Sequence, residues 1–419
     1  MNKSTLALAV AAGVLAQQAG AAGFIEDSKA TLGLRNFYIN TDNRSGAANP
    51  SRNEEWGQGF DLRFISGYTQ GAVGFGVDAI GLLGVRLDSG GGTNGAANGA
   101  AYGGTVFPSE SNGEAVDNFS SLGLTAKAKI SQTELKLGTL QPKLPVIVTN
   151  DGRLLPQTFQ GGQITSGEIK DLTLIGGQIE HVKGRNSSSN EQLSIGGASA
   201  RTANSNKFIY AGGDYKITKD LTAQYYYGNL EDFYKQHFLG LVHNWSIGPG
   251  VLKSDLRYFN SSDDGLNGNT ATYYSNGNYN STANGKGKVD NNLYSGLFLY
   301  TVAGHTFGGG YQVSNGSSDF PWLNQGDGSS AYLTTDSQIA KFARAGERTW
   351  QARYSYDFAK VGVPGLTAGV VYLHGDDIDT RSPASTDSSE WERDLTVGYV
   401  VPEGPLKNVG LMWKNATWR

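Results

Sequence analysis

The chain has 419 residues, a formal net charge of −4 and no cysteine, and only 38% of its residues are hydrophobic. The absence of cysteine excludes a disulfide framework and a thiolate metal site. Its 34 basic residues are scattered rather than clustered, so charge gives no indication of a nucleic-acid partner.

The first 22 residues have the features of a secretory signal peptide. Lys3 supplies a positive charge, residues 5–16 form an apolar run, and Ala19 and Ala21 flank a glycine at a small-residue cleavage site. The run is too short to span a membrane as a helix, and no later segment approaches about 18 consecutive apolar residues. We therefore predict an exported protein whose mature part, 23–419, is one domain.

Apolar and polar residues alternate along most of this mature part. Leu122, Leu124 and Ala126, for example, alternate with Thr125 and Lys127. Side chains of a strand point to opposite faces in turn, so each such segment predicts a strand with one apolar and one polar face. The pattern predicts seventeen strands: 30–40, 56–68, 71–87, 119–131, 132–140, 166–182, 190–200, 206–218, 219–229, 235–247, 251–261, 291–303, 304–315, 347–359, 365–376, 390–401 and 406–418.

The number of strands favours a membrane barrel over a soluble one. A soluble barrel of this length would have to fill its interior with side chains, whereas membrane barrels of about 16–18 strands keep a wet lumen. The connections support this, because tight turns (68–71, 131–132, 303–305 and 362–365) alternate with long polar loops (88–117, 261–290 and 315–346). We interpret the long loops as extracellular.

The segment 141–165 is predicted to lie outside the wall of the barrel. It contains Pro142, Pro145 and Pro156, and proline cannot donate to the hydrogen-bond ladder of a sheet. Such a segment between two strands folds either away from the lumen or into it.

Several blocks of sequence resemble the OprD-type, or Occ, substrate-specific porins. These are GFIEDS at 23–28, LRNFY at 34–38, GTLQP at 138–142, RLLPQT at 153–158 and GERTWQARY at 346–354. The resemblance extends over 23–419, and DGSSAYL at 327–333 with DSQI at 336–339 is similar to the OccK branch.

The resemblance implies a fold and a function. The fold is an all-β, transmembrane, antiparallel up-and-down barrel of 18 strands, with 141–165 as an inward-folded third loop that narrows the lumen to an eyelet. The function is passive uptake of small carboxylates, aromatic or other organic acids, across the bacterial outer membrane. The expected partners are these substrates, outer-membrane lipid and lipopolysaccharide, with no nucleic acid and no cofactor, and the expected assembly is a monomer or a weak trimer.

The chain departs from the family pattern in two respects. The resemblance implies one more strand after 415–417, so we expect a sequence that stops short of the last strand rather than a pore of seventeen strands. Val371 and Met412 stand where relatives often have arginine, which predicts a weakened file of basic residues along the lumen.

Ten residues are candidates for contact with the substrate. Two of them, Asp151 and Arg153, come from the third loop. The other eight are basic residues with lumenal parity, that is, at the alternate strand positions whose side chains face the lumen: Arg35, Arg63, Lys127, Lys129, Lys136, Arg257, Arg353 and Lys414. Arg86 and Lys253 share this parity. A file of weak cationic sites attracts a carboxylate and lets it leave again. The alternative interpretation is that these charges pair with lumenal acids such as Asp61, Asp78, Glu134, Asp255 and Asp357.

Other functions remain as alternatives. Net acidity and the lost arginines favour a weakly selective or cation-preferring pore, and the long loops suit a barrel that binds a partner. A barrel-embedded hydrolase would need a Ser–His pair with an orienting group, but neither G-x-S-x-G nor H-E-x-x-H is present. The five histidines show no metal-ligand spacing, and His237 and His243, which share a strand face, are expected to be ordinary barrel residues.

Overall fold

The computed structural model describes residues 23–42, 52–89, 106–110, 114–196, 204–268, 289–323, 330–381 and 384–419. The predicted signal peptide, 1–22, lies outside these residues and stays a prediction. No helix in the described part of the chain is both long and apolar enough to cross a membrane.

The described residues form strands joined by turns and loops, with two 3₁₀ turns, Gly265–Gly268 and Phe358–Val361. The strands of the first half are β1 (Lys29–Asp42), β2 (Arg52–Ile65), β3 (Gly74–Asp88), β4 (Asn118–Ile130), β5 (Thr133–Leu140), β6 (Lys143–Leu144), β7 (Ile147–Val148), β8 (Thr158–Ser166), β9 (Leu172–Lys183) and β10 (Glu191–Gln192). Those of the second half are β11 (Phe208–Lys216), β12 (Leu221–Leu230), β13 (Tyr234–Ile247), β14 (Gly250–Asp263), β15 (Asp290–Val302), β16 (His305–Gly316), β17 (Arg348–Asp357), β18 (Leu366–Arg381), β19 (Ala384–Val400) and β20 (Gly410–Trp418).

Within the described residues, eighteen of these strands form a single sheet, and β6 and β7 form a separate hairpin. Each long strand pairs in antiparallel fashion with the long strand before it and the one after it, from β1–β2 to β19–β20. This is the up-and-down order that the alternation predicted.

The polarity of the wall is the reverse of that in a soluble protein. On β4 the side chain of Leu122 is 64% exposed, whereas Lys127 on the opposite face is 5% exposed. The same contrast recurs on β14, where Leu256 faces out and Asp255 is buried. An outer surface of exposed leucine and aromatic side chains is stable in lipid but not in water. The sheet is therefore the wall of a membrane barrel with a polar lumen.

The connections also alternate as predicted. Tight turns lie at one end of the wall, which we call the turn end; there Ser131 and Ala303 adopt positive φ values of 51° and 50°. The other end, the loop end, carries the long loops, of which three matter below: the third loop (141–157), the fourth loop (184–207) and the seventh loop (317–347).

Two predicted boundaries are wrong, and the two errors offset each other in the strand count. Residues 158–165 are predicted to lie in the non-wall segment 141–165, but together with Ser166 they form β8, where adjacent Gly161 and Gly162 interrupt the alternation. The structure describes the predicted strand 190–200 only as far as residue 196, and within that part only Glu191–Gln192 form a strand. Its alternating Leu193 and Ile195 belong to the fourth loop and are fully buried there. An extended loop that buries every second side chain has the same period as a strand.

An apolar core fills part of the lumen at the loop end. It combines inward side chains of the wall, such as Phe238 and Phe259, with loop residues such as Val146, Ile195 and Phe320. Phe259 contacts both Phe238 and Phe320, with ring centroids 4.7 and 5.0 Å apart. This core holds the third, fourth and seventh loops inside the barrel.

Candidate functional site

The third loop enters the lumen and docks on β2. Two inward-facing glycines of β2 make this close approach possible: a Cβ on Gly57 would lie 2.8 Å from Leu154 Cδ2, and a Cβ on Gly59 would lie 2.9 Å from the Leu154 carbonyl oxygen. Leu154 is buried beside Phe107. Any larger residue at either position would displace the loop.

Arg35 of β1 ties the tip of the third loop to the wall. Its Nη1 donates to Asp151 Oδ1 at 2.8 Å and also to the carbonyl oxygens of Asp151 and Arg153. The Arg35 and Asp151 side chains remain 42% and 46% exposed. Asp151 also attracts the guanidinium of Arg63. The structure therefore brings together four of the ten candidates at this end of the loop.

The seventh loop also folds into the lumen, which the sequence interpretation missed by taking 315–346 as extracellular. Its Ser330 forms an antiparallel bridge with Val148 of the third loop. Leu333, Phe342 and Ala345 of the same loop are buried. A run of apolar residues within a polar loop is the sequence signal for this arrangement.

Two predicted basic residues of the wall hold the seventh loop. Arg257 Nη1 donates to the Tyr332 carbonyl at 3.1 Å, and its guanidinium lies 3.8 Å from the centroid of the Tyr332 ring. Arg353 Nη2 donates to the carbonyl of Thr334. Burial raises the pKa of the Tyr332 phenol, so this ring stays neutral beneath the guanidinium.

Acidic residues of β19 fix the far side of the same loop. The Glu392 carboxylate accepts the backbone N–H groups of Gln338, Ile339 and Ala340 at 3.1, 3.0 and 2.6 Å. Asp394 accepts a hydrogen bond from Ser337 Oγ. Three backbone amides therefore converge on one carboxylate, as they do in turns that bind free anions, and here the bound anion is the side chain of Glu392. Neither acid was predicted, because parity alone does not reveal which wall residues face a loop.

Most of the predicted basic residues are paired with neighbouring acids, as the alternative interpretation supposed. Since residues i and i+2 share a strand face, the pairs lie along the wall. Arg63–Asp61 and Arg257–Asp255 are bidentate, with shortest distances of 2.7 Å, and Lys136 Nζ lies 3.2 Å from Glu134. Asp357 is the exception among the acids named, because its carboxylate accepts the Ala359 N–H.

Lysines at the turn end surround an aromatic ring that was not predicted as part of the site. Lys127 Nζ contacts Asp78 Oδ1 at 2.7 Å and lies 4.8 Å from the Tyr68 ring centroid, and Lys129 Nζ lies 5.7 Å from it. Within the described residues, no ion pair involves Lys129 or Lys414. These two are the lysines of the set that carry no intramolecular counter-charge there.

The positions that depart from the family pattern also lie on the lumenal face. Val371 is directly opposite Arg353 on one neighbouring strand and Asp394 on the other. Met412 is opposite Gly398 and shares the face of Lys414. Arg86, which shared the lumenal parity, forms an ion pair with Asp117, and Lys253 is exposed.

The described residues contain no group of three or more His, Asp or Glu side chains that could hold a metal ion. His237 and His243 lie on the outward face, opposite Tyr227 and Leu221. The arrangement is therefore a narrowed polar lumen with fixed charges.

Comparisons with known proteins agree with this geometry. Residues 22–419 match the model of the outer membrane porin, OprD family. The chain is 38% identical to the porin-like protein GalP of Pseudomonas putida over 99% of this chain and 92% of that protein. Its structure is similar to the crystal structure of Pseudomonas aeruginosa OccK8 (OprE), with a TM-score of 0.86, 62% identity and 95% of each chain covered.

A second solved structure bears on the ligand. Pseudomonas aeruginosa OpdK with vanillate is similar at a TM-score of 0.82 and 36% identity, with 95% of each chain covered. These relatives are porins and not enzymes, which excludes the hydrolase alternative. The chain belongs to the OprD family of outer-membrane porins, and its structural neighbours are the OccK channels.

Proposed function

We propose that this porin conducts small carboxylates, aromatic acids among them, by exchange of the substrate carboxylate with Asp151 on Arg35. The observation that carries the proposal is the Arg35–Asp151 ion pair at the tip of the third loop, with both side chains more than two-fifths exposed. A solvated guanidinium already bound to one carboxylate has the geometry to accept another.

The competing acid explains how a binding site can serve transport. Conduction requires a site that attracts the substrate but releases it. Asp151 returns to Arg35 when the substrate leaves, which shortens the lifetime of the bound state. The nearby guanidinium of Arg63 offers a second contact along the same side of the lumen. The vanillate in the solved structure of OpdK, an aromatic carboxylate, supports this class of substrate.

The test measures ion and solute selectivity of the full-length porin in bilayers and liposomes. Asp151→Asn frees Arg35, so the reversal potential in a KCl gradient should shift toward anions, and Arg35→Gln should shift it toward cations. Benzoate flux should fall several-fold in Arg35→Gln, whereas flux of the similarly sized, neutral benzyl alcohol should not.

Arg393→Gln is the matched control. Arg393 lies on the outward face of β19, where it bonds Thr417, so this variant removes the same charge without touching the lumen. Equal reversal potentials in Arg35→Gln, Asp151→Asn and Arg393→Gln would contradict the proposal.

The ion pairs along the wall favour a second candidate, a weakly selective pore. Arg63, Lys136 and Arg257 each neutralise an acid two residues away. If these neutralised pairs determine the electrostatic potential in the lumen, the unmodified protein should not favour anions. Benzoate and benzyl alcohol should then cross it at similar rates.

A further inference from the structure

A depression lies on the outward face of the wall between β13 and β16. Its volume is about 720 Å³, and most of its lining faces the lipid. Leu256, Tyr294, Phe298 and Tyr311 form its sides and are 40–50% exposed. This volume lies within the range of about 300–1,000 Å³ that small-ligand sites occupy.

Missing side chains create this depression. Gly296 and Gly309 both have outward parity, opposite Tyr311 and Phe298 respectively. Apart from its chain neighbours, a Cβ on Gly309 would have no atom of the described residues within 4 Å, and the three atoms nearest to a Cβ on Gly296 belong to Leu256 and Phe298, at 3.2–3.9 Å. The wall is therefore thinned at two neighbouring outward positions, and aromatic rings stand on either side of the gap.

A polar row borders the depression toward the loop end. Tyr227, His237, Asn260, Asn292 and Asn315 are successive register partners across five strands and have outward parity. Tyr258 Oη and Asn260 Nδ2 both donate to Asn292 Oδ1 at 2.9 Å, which turns the Asn292 amide so that its Nδ2 donors are available to a ligand. His237 Nδ1 is 2.9 Å from Tyr225 Oη, which leaves Nε2 for an external contact.

The spacing of row and depression matches one leaflet. Gly296 and Phe298 follow Asn292 by four and six residues on β15, or about 14–20 Å along a strand at about 3.4 Å per residue. A tilt of about 40° reduces this to about 10–15 Å of depth, close to half of an apolar band about 25 Å tall. An amphiphile with its headgroup at the row would place an acyl chain in the depression.

We propose that this face binds a phosphorylated lipid of the outer leaflet, with an acyl chain over Gly296 and Gly309 and a phosphate at His237, Asn260 and Asn292. Amide and imidazole N–H groups donate hydrogen bonds to phosphate oxygens. Water-facing loops and lumen are not involved, so the proposal is independent of the transported substrate.

The probe is hexa-acylated diphosphoryl lipid A, titrated into the detergent-solubilised full chain and followed by native mass spectrometry. Gly309→Leu should weaken binding at least tenfold by filling the depression. Gly81→Leu is the control, since Gly81 also faces outward, with Leu62 Cβ 3.9 Å from a Cβ built there, but lies on β3. His237→Ala combined with Asn292→Ala should weaken binding of this probe but not of its dephosphorylated form.

Retained heat-modifiable migration on gels shows that each variant has folded. Equal affinity of Gly309→Leu and Gly81→Leu for the probe would overturn the proposal. So would an oligomer of this chain that Gly309→Leu disperses, because the depression would then be a contact between copies. Equal binding of the phosphorylated and dephosphorylated probes by the unmodified protein would contradict the proposal that a phosphate binds at His237, Asn260 and Asn292.

Discussion

Val148 and Ser330 pair in an antiparallel bridge that joins the third loop to the seventh. The two residues come from loops that are anchored on different strands of the wall. The third loop is held by Arg35 of β1, and the seventh by Arg257 of β14 and Arg353 of β17. The opening through the barrel is thus bounded by a joined pair of loops and not by the third loop alone.

The bridge predicts that Val148→Cys/Ser330→Cys forms a disulfide on oxidation. Residues directly opposite in antiparallel pairs have Cα atoms about 4.5–5.5 Å apart, within the range of about 4.4–6.8 Å for disulfides. The chain contains no other cysteine, so cross-linking is read directly from a mobility shift that dithiothreitol reverses.

Single-channel conductance should change by less than about a third on cross-linking, because the loops are already joined. Each single cysteine variant serves as the control for intermolecular products. If no intramolecular disulfide forms, or if oxidation closes the channel, the loops do not meet as described.

Arg257→Gln should loosen the seventh loop and widen the pore. The variant loses the bonds to the Tyr332 carbonyl and ring, and leaves Asp255, whose side chain is 11% exposed, without its bidentate partner. Removing one member of a buried ion pair costs about 3–5 kcal/mol. We expect larger and noisier single-channel currents.

Lys253→Gln is the matched control for this variant, since Lys253 lies on the same strand but is exposed. Arg257→Lys should bring the currents only part of the way back to those of the unmodified protein, because lysine does not reproduce the bidentate ion pair with Asp255. If the single-channel currents of Arg257→Gln were as small and as free of noise as those of the unmodified protein, the contact between Arg257 and Tyr332 would not be what holds the loop.

Alternation in the sequence predicted most of the wall. Leu122 to Ile130 and Trp350 to Tyr356 have the outward and inward residues that the alternation assigned to them. Leu193 and Ile195 misled the prediction because burial under a loop requires the same period as burial in a strand. The strand β8 was missed because Gly161 and Gly162 have no side chain and therefore add neither an apolar nor a polar position to the alternation.

The candidate site was harder to predict than the wall. Parity placed Arg257 and Arg353 on the lumenal face correctly, yet it could not show that they bind the carbonyls of Tyr332 and Thr334. Those contacts join residues about 75 and 19 positions apart in sequence and depend on how a loop packs. Local patterns contain no information about such contacts.

Val371→Arg and Val370→Arg should have opposite outcomes, although the positions are adjacent. Val371 faces the lumen opposite Arg353 and Asp394, so an arginine there can bond Asp394 and should shift the reversal potential toward anions. Val370 faces out, opposite Tyr354, and an arginine on the lipid-facing surface is destabilising, by up to about 2–4 kcal/mol where it lies at the bilayer midplane. Val370→Arg should therefore lower the temperature at which the folded band disappears on gels, and Val371→Arg should not. Similar melting of both variants would mean that the face assignment of β18 is wrong.

Glu347 predicts a pH dependence of the seventh loop. Burial, reinforced by the neighbouring carboxyl of Glu390, raises its pKa from 4.5 to about 9. Glu347 accepts the Arg344 N–H at the end of the loop, and only 1% of the residue is exposed. Because the docked state binds the proton more tightly than the undocked state, docking is strongest below pH 4.5 and weakens as pH rises from there to about 9.

The measurement is proteolysis of the seventh loop in intact porin as a function of pH, with a protease active across that range. Cleavage in the unmodified protein should increase steeply as pH approaches 9. Glu347→Gln keeps a neutral hydrogen-bonding group of similar size, so its cleavage should vary much less with pH. Glu403→Gln, which removes an exposed carboxylate at the turn end, should behave like the unmodified protein. If Glu347→Gln retained the full pH dependence, another group would control the docking of this loop.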